Sequence, residues 1–288
     1  MISIVICSVD PQRLSNVRRN IADTIGVDYE IIAIDNRVRN LGLCQAYNEG
    51  AENSRFDCIC FLHEDIEFIS QDWGVTLLRH FQNDPSLGLV GLAGSRYKSS
   101  KPSGWSDGWG EDICINIWHG QPDAMEQTLV KPKQFTEDNL VSVVALDGVF
   151  LCSPRAVWSK VRFSDQLTGF HYYDVDYSLR VAQKYSVAVA YDIPLLHFSL
   201  GNFGREWASQ ALLYAKSSSV PLPAHVLGSV SANGVRLRER ATVRCWLKLL
   251  RKKKLPFSLR FKWLRNSGFG SFPGLWWLAF KFLFIRKK

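Results

Sequence analysis

Within about the first 65 residues, apolar runs and amphipathic stretches alternate, and this alternation limits the fold more than any other feature of the chain. Residues 2–8, ISIVICS, predict a buried strand. Asp10-Pro11 supplies a helix N-cap and a proline at the first helical position. Leu14, Val17, Ile21 and Ile25 then fall on one face of a predicted helix, which Gly26 stops. Tyr29–Ile34 reads as a second strand, residues from Gly42 to Asn53 as a second helix, and Cys58–Leu62 as a third strand buried on both faces. This order predicts an α/β fold with a mostly parallel sheet and right-handed crossovers. No Gly-x-Gly-x-x-Gly follows the first strand, which argues against the usual dinucleotide-binding fold.

In an open sheet of this kind, ligands bind beyond the carboxyl ends of the strands. Those ends carry Ser8, Asp35-Asn36 and the run His63-Glu64-Asp65. A His-Glu-Asp cluster suits a divalent cation and, through it, a phosphate; an acidic surface turn is the plainer alternative, and Asp35-Asn36 is also a common turn pair. A helix over 72–84, capped by Asp72, and a strand over 87–93 follow. The stretch Gly94–Gly110 is rich in Gly, Ser and aromatic residues, as long functional loops are. The indoles of Trp105 and Trp109 suit stacking on sugar rings or covering the core. A strand at 141–145 leads to Asp147-Gly148, and Ser153-Pro154 opens another helix. From Gly169 a turn becomes a helix with Val175, Leu179 and Ala182 inward. Asp174 and Asp176 stand in its first turn, where the helix dipole favours carboxylates. Two acids among aromatic residues point to a site. His197 follows two leucines, a setting more typical of a core histidine.

At 288 residues the chain can hold one large α/β core and an appendage. Seven cysteines without a Cys-x-x-Cys spacing predict reduced thiols and no zinc tetrad. The apolar N-terminus has no basic region before it, so no signal peptide is expected. The net charge of +8 conceals a division: residues 236–288 hold 16 Lys and Arg against one acid, Glu239, whereas residues 1–235 carry 19 basic and 26 acidic residues. We therefore expect a body at 1–216, a Ser- and Pro-rich linker at 217–234, and a basic aromatic tail at 235–288. Val243, Trp246, Leu247 and Leu250 fall at helical spacing among cations, and Phe257, Phe261 and Leu264 repeat the pattern. The last apolar block, Leu275–Ile285, is too short for a bilayer span of about 20 residues. Basic amphipathic segments with Trp and Phe predict an anionic membrane surface as partner, with a protein-docking surface as the alternative. Nucleic acid is not expected, because bulky apolar residues are as concentrated as the charges.

Taken together, Phe61-Leu62-His63-Glu64-Asp65 and Gly169-Phe170-His171-Tyr172-Tyr173-Asp174-Val175-Asp176 resemble the metal and late motifs of GT-A glycosyltransferases of the family 2 class. The resemblance is to the bacterial branch reading FLH-x-D and GFH-x-Y-D-x-D, and it spans roughly residues 1–215. It implies a Rossmann-like GT-A fold, a nucleotide-diphosphate sugar as donor and Mn²⁺ or Mg²⁺ as cofactor. An inverting transfer to a saccharide or lipid-linked saccharide is implied with it, in bacterial surface polysaccharide synthesis at the cytoplasmic face of the membrane. By the same resemblance Ser8, Asp35, Asn48 and His63 would bind nucleotide, Asp65 and His197 the metal, and Asp174 would be the base. Trp105, Trp109, Asp147, Tyr173 and Asp176 would face the acceptor. Two positions depart from the usual pattern: His63 stands for the first Asp of Asp-x-Asp, and Tyr173 for the Glu of a Glu-Asp pair. A nucleotidyltransferase and a non-catalytic saccharide-binding scaffold are the rival readings.

Overall fold

The computed structural model describes residues 1–288 except 107, 122–123, 136–137, 200, 229 and 286–288. The first half runs β1 (Ile2–Ser8), α1 (Pro11–Thr24), β2 (Tyr29–Asp35), α2 (Leu43–Glu52), β3 (Cys58–Leu62), β4 (Ile66–Phe68), α3 (Trp73–Asn83) and β5 (Leu87–Gly91). Short strands follow: β6 (Ala93–Ser95), β7 (Tyr97–Lys98), the hairpin β8 (Ile113–Gln121) and β9 (Ala124–Val130), β10 (Leu140–Ser142), β11 (Ala145–Leu146) and β12 (Phe150–Pro154). The remainder is α4 (Arg155–Trp158), α5 (Tyr173–Val181), β13 (Ser186–Ala190), β14 (Leu195–His197), α6 (Arg205–Ser217), β15 (Ala224–His225), α7 (Ala232–Arg251), α8 (Phe257–Ser267) and α9 (Trp276–Phe284).

The main sheet has the order β10-β13-β5-β12-β3-β1-β2. β1 pairs in parallel with β2 and β3, and β13 with β5; β12 is inserted antiparallel between β3 and β5, and β10 runs antiparallel at the edge. The sheet is thus mixed: three pairings are parallel and three antiparallel, and five of its seven strands run in one direction. Its faces follow the period of two expected of strands. Ile4, Ile6, Cys60 and Leu62 enter one core with α1 and α3, while Val5, Ile59 and Phe61 enter another with α2 and α5. A second sheet, β11-β6-β8-β14-β4, lies beyond the carboxyl ends of β1 and β3 and brings β14 beside β4.

Several local expectations change. Asp10 caps α1 by accepting from the N–H groups of Gln12 and Arg13, as predicted. Asp72 does not cap α3 through its side chain; it adopts a left-handed backbone conformation and packs against Gly26, where a Cβ would lie 2.2 Å from Asp72 Oδ1. The strand expected at 141–145 is two strands in different sheets, β10 and β11. Helix α4, after Pro154, is only four residues long. The thiols expected to be reduced include a disulfide, Cys60–Cys152. These residues lie directly opposite in the antiparallel β12–β3 pair, 92 positions apart in sequence, a proximity that spacing along the chain does not reveal. The cysteines therefore no longer argue for a reducing compartment.

The tail shares a core with the body. Val243, Trp246, Leu247, Leu250, Trp263 and Phe282 pack with Val175 and Leu179 of α5 and with Trp207 and Leu212 of α6. Two polar clamps reinforce this packing. Arg238 hydrogen-bonds and ion-pairs with buried Asp112, and buried Glu239 accepts from Tyr97 Oη (2.7 Å) and Ser100 Oγ (2.7 Å). Within the expected linker, β15 pairs with β7 and Val220 is buried. The apolar face of α7, which its spacing offered to a membrane, is consequently turned inward.

Candidate active site

Two walls make the site, one from strand ends and one from a helix start. At the carboxyl end of β3, the His63 N–H donates to Val149 O (3.2 Å) and the chain turns. Glu64 points back beneath β1, accepting from Ser8 Oγ at 2.6 Å and from the N–H groups of Val9 and Asp10 at 3.2 Å. Asp65 faces two imidazoles. The antiparallel β14–β4 pairing sets His197 opposite Ile66, and its Nε2 lies 3.4 Å from Asp65 Oδ1; His63 Nδ1 is 3.8 Å from the same oxygen. Burial would raise the Asp65 pKa, but the hydrogen bond and charge of His197, with His63 and Ser199, hold its carboxyl well below the usual range. Burial, and then His197, lower the pKa of His63 and favour its neutral form, although part of its ring remains exposed.

The second wall is the first turn of α5, entered through Tyr172 in a left-handed conformation (φ 68°). Asp174 Oδ1 accepts the N–H of Val175 at 2.8 Å. Burial, and then the neighbouring Asp147, push its pKa up to about 7, although the side chain keeps an opening into the cleft. Asp147 is fixed by Trp105 Nε1–H (2.8 Å) and the Val149 N–H (3.0 Å). Tyr173 joins the walls: its hydroxyl is 2.8 Å from His63 Nε2, and burial keeps the phenol protonated. Gly148 permits this approach, since a Cβ there would lie 2.0 Å from the Tyr173 hydroxyl.

Between the walls is a cleft of about 370 Å³. His63, Asp147, Tyr173 and Asp174 line it, and Trp105, Phe170, Phe203, Trp207 and Trp246 supply aromatic surface. Trp207 and Trp246 stack with centroids 4.6 Å apart. Phe203, Trp207 and Trp246 were missed as lining residues. Trp246 was visible only as part of an amphipathic face, and periodicity does not say what that face packs against.

The structure brings His63, Asp65, His197, Asp147, Tyr173, Asp174 and Trp105 together. Asp35 lies level with Ser8 across β1 and β2, exposed and paired with Arg37, whose guanidinium holds its carboxyl down at about 2. Ser8 is buried and engaged with Glu64, so its hydroxyl is committed within the protein. Three expected site residues do other work. Asn48 is buried; its amide donates to Phe163 O (2.9 Å) and accepts from the Phe163 N–H (3.1 Å) and Trp158 Nε1–H (3.3 Å), so it braces that segment and does not shape the cleft. Asp176 is two residues beyond Asp174, about 200° around the helix. It points away from the cleft and pairs with Arg180 at 2.7 Å. Trp109 packs beneath the Arg238 guanidinium, outside the cleft lining.

His63, Asp65 and His197 offer ligand atoms that all lie within 4.8 Å of one another. One carboxylate and two imidazoles form a donor set that a divalent transition metal accepts. Imidazole nitrogen suits Mn²⁺ better than Mg²⁺, which prefers oxygen. The Tyr173 contact at Nε2 leaves Nδ1 of His63 as the atom facing Asp65, the arrangement by which a second hydrogen bond orients a ligating histidine.

A largely parallel sheet with an acid–imidazole cluster beyond its strand ends, and a carboxylate across a cleft, is the GT-A glycosyltransferase architecture. Residues 3–197 match the family described as "Glycosyltransferase like family", and the chain belongs to that family. Among solved structures, that of GalNAc-T7 with UDP, GalNAc and Mn²⁺ aligns with a TM-score of 0.51 and 12% identity, covering 69% of this chain and 44% of that one. The present chain thus matches less than half of that structure's length, and the likeness is one of fold. No curated protein matches the sequence.

Proposed function

We propose that this protein is a metal-dependent, inverting glycosyltransferase. It moves a sugar, such as a hexose, from a nucleoside diphosphate to a hydroxyl of a saccharide or lipid-linked saccharide. One observation carries the reading: a metal-competent trio, His63-Asp65-His197, and a carboxylate poised near neutrality, Asp174, flank one aromatic cleft and are joined through Tyr173.

A divalent cation held by Asp65, His63 and His197 would neutralise the charge that develops on the departing diphosphate. The chain's own groups do the rest. The acceptor oxygen forms its bond to the anomeric carbon as the bond from that carbon to the diphosphate oxygen breaks. The electron pair leaves with the diphosphate, and the acceptor proton passes to Asp174. A carboxyl with a pKa of about 7 combines a useful ionised fraction with real basicity, whereas an ordinary aspartate is a weak base. Trp105, held by Asp147, and the Trp207–Trp246 pair offer apolar faces to sugar rings. Asp35, exposed at the end of β2, is within the strand-end row where a nucleoside base would lie. On the resemblance alone, bacterial surface polysaccharide assembly is the setting.

The deciding experiment incubates the protein with Mn²⁺ and a panel of nucleotide sugars. Nucleoside diphosphate release and thermal stabilisation are then measured, and the anomeric configuration of any product is read by NMR. Release with one donor and an inverted anomer are expected. Absence of both release and stabilisation with every donor would overturn the reading in favour of a non-catalytic scaffold, and a retained anomer would remove Asp174 as the base.

A further inference from the structure

With the apolar face of α7 buried, a different surface of the tail remains open. Helices α8 and α9 turn Trp263, Leu264, Ala279 and Phe282 inward. Their outward sides carry a row of exposed rings. Trp277 stacks on Phe280 (centroids 5.4 Å), Phe280 meets Phe284 (5.1 Å), Phe284 meets Phe257 (6.0 Å), and Phe257 meets Phe261 (6.5 Å). These five side chains are between 46% and 63% exposed. A contiguous aromatic strip of this kind marks an interaction surface, since isolated apolar residues rarely line up in succession. Beside it, between α7 and α9, runs a groove of about 490 Å³ walled by Lys248, Arg251, Lys252, Lys281 and the Trp277 indole, with no acid among its lining residues.

We propose that this strip and groove dock on an anionic phospholipid bilayer, the rings entering the headgroup–acyl boundary and the groove receiving lipid phosphates. Four observations favour that occupant. Rings and cations adjoin on one face, the arrangement that suits a helix lying in an interface. Residues 236–288 hold 16 basic residues and one acid, complementary to an anionic leaflet, whereas residues 1–235 carry a net negative charge that such a leaflet repels. A second copy is disfavoured because it would bring two basic faces together. Among the described residues no helix is long and apolar enough to cross a membrane, so α8 and α9 would lie along the surface.

Helix α7 links this face to the cleft. Its residues Cys245, Trp246 and Leu249 line the cleft, whereas Lys248, Arg251 and Lys252 line the groove. Docking therefore holds the cleft one helix away from the headgroups, which selects an acceptor carried on a lipid. That last step rests on the transfer reading; the docking face does not.

The test uses the full chain, because truncating the tail would remove core residues such as Trp246 and Trp263. Co-sedimentation is measured with phosphatidylcholine vesicles, with and without about 30% phosphatidylglycerol. The variants are Trp277→Ser/Phe280→Ser/Phe284→Ser and Lys248→Glu/Lys252→Glu. The wild type should partition to the anionic vesicles only, and each variant should lower partitioning at least about tenfold with an unchanged melting temperature. A wild type that stays in solution, or a folded ring variant that binds equally well, overturns the proposal. So does a wild-type dimer in light scattering that the ring variant disperses, since a second copy would then cover the strip. Vesicle binding without donor turnover would overturn the transfer reading and leave the docking face standing; turnover of a soluble acceptor without vesicle binding would do the reverse.

Discussion

Asp65 and Asp174 share one site, yet their surroundings drive them in opposite directions. Asp65 faces two imidazoles, and its charged form is stabilised. Asp174 is enclosed beside a second carboxylate, and its charged form is resisted until about pH 7. Two carboxylates whose environments separate their pKa values suit separate tasks, and the proposed transfer gives the cation to Asp65 and the proton to Asp174. Their supports differ accordingly. Asp65 is set by strand pairing, with its carbonyl accepting from the Phe198 N–H at 3.1 Å, whereas Asp174 is set by the start of a helix.

The largest loss is expected at Asp65. Asp65→Asn should abolish Mn²⁺ binding in calorimetry and lower transfer about 10³-fold, since several kcal/mol of charge stabilisation leave with the metal. Retained Mn²⁺ affinity would remove Asp65 from the ligand set. Next comes Asp174→Asn, which should leave donor and Mn²⁺ affinity intact while transfer falls about 10²-fold or more; a wild-type rate would show that another group takes the proton. Tyr173→Phe cuts the link between the walls. It should weaken Mn²⁺ affinity about tenfold or more through a loosened His63 ring, an effect that excess Mn²⁺ overcomes. An equal loss at saturating metal would place Tyr173 in the chemistry.

The smallest effect concerns the like charge beside Asp174. A base that works ionised gains rate as pH rises through its pKa, so the acidic limb of kcat/KM should lie at or below about 7, a bound cation pulling it down. Asp147→Asn removes the like charge and should move that limb to lower pH by less than about one unit, raising the ratio of the rate at pH 6 to that at pH 8. An unmoved limb would assign the raised pKa of Asp174 to burial alone.

The alternation through β1, α1, β2, α2 and β3 was legible because periodicity reports burial, and the observed elements keep close to their predicted bounds. The direction of β12 was not legible, since an apolar run buried on both faces reads the same in either sense. Asp174 stood out through its motif, whereas His197 read as a core histidine and entered the site only by resemblance; the placement of both depends on β14 and on the αL turn at Tyr172. Asn48, expected through the resemblance, and Asp176, expected as one of two acids among aromatics, show the converse limit: the folded chain engages both with its own backbone and side chains. In the tail, the spacing of Val243, Trp246 and Leu250 located a buried face correctly in number and wrongly in partner.

The two departures from the expected motifs also turn out to be one contact, His63 to Tyr173. A substitution at either position therefore acts on the other through this contact.

Because Cys245, Trp246 and Leu249 wall the cleft, and Arg238 and Glu239 fasten their helix to the body, the site is unfinished while the chain is still being made. The matched span, residues 3–197, contains His63, Asp65, His197 and Asp174 but not the α7 residues that wall the cleft. If the proposed transfer is right, a growing chain would gain it only after α7 has emerged and Trp246 has stacked on Trp207.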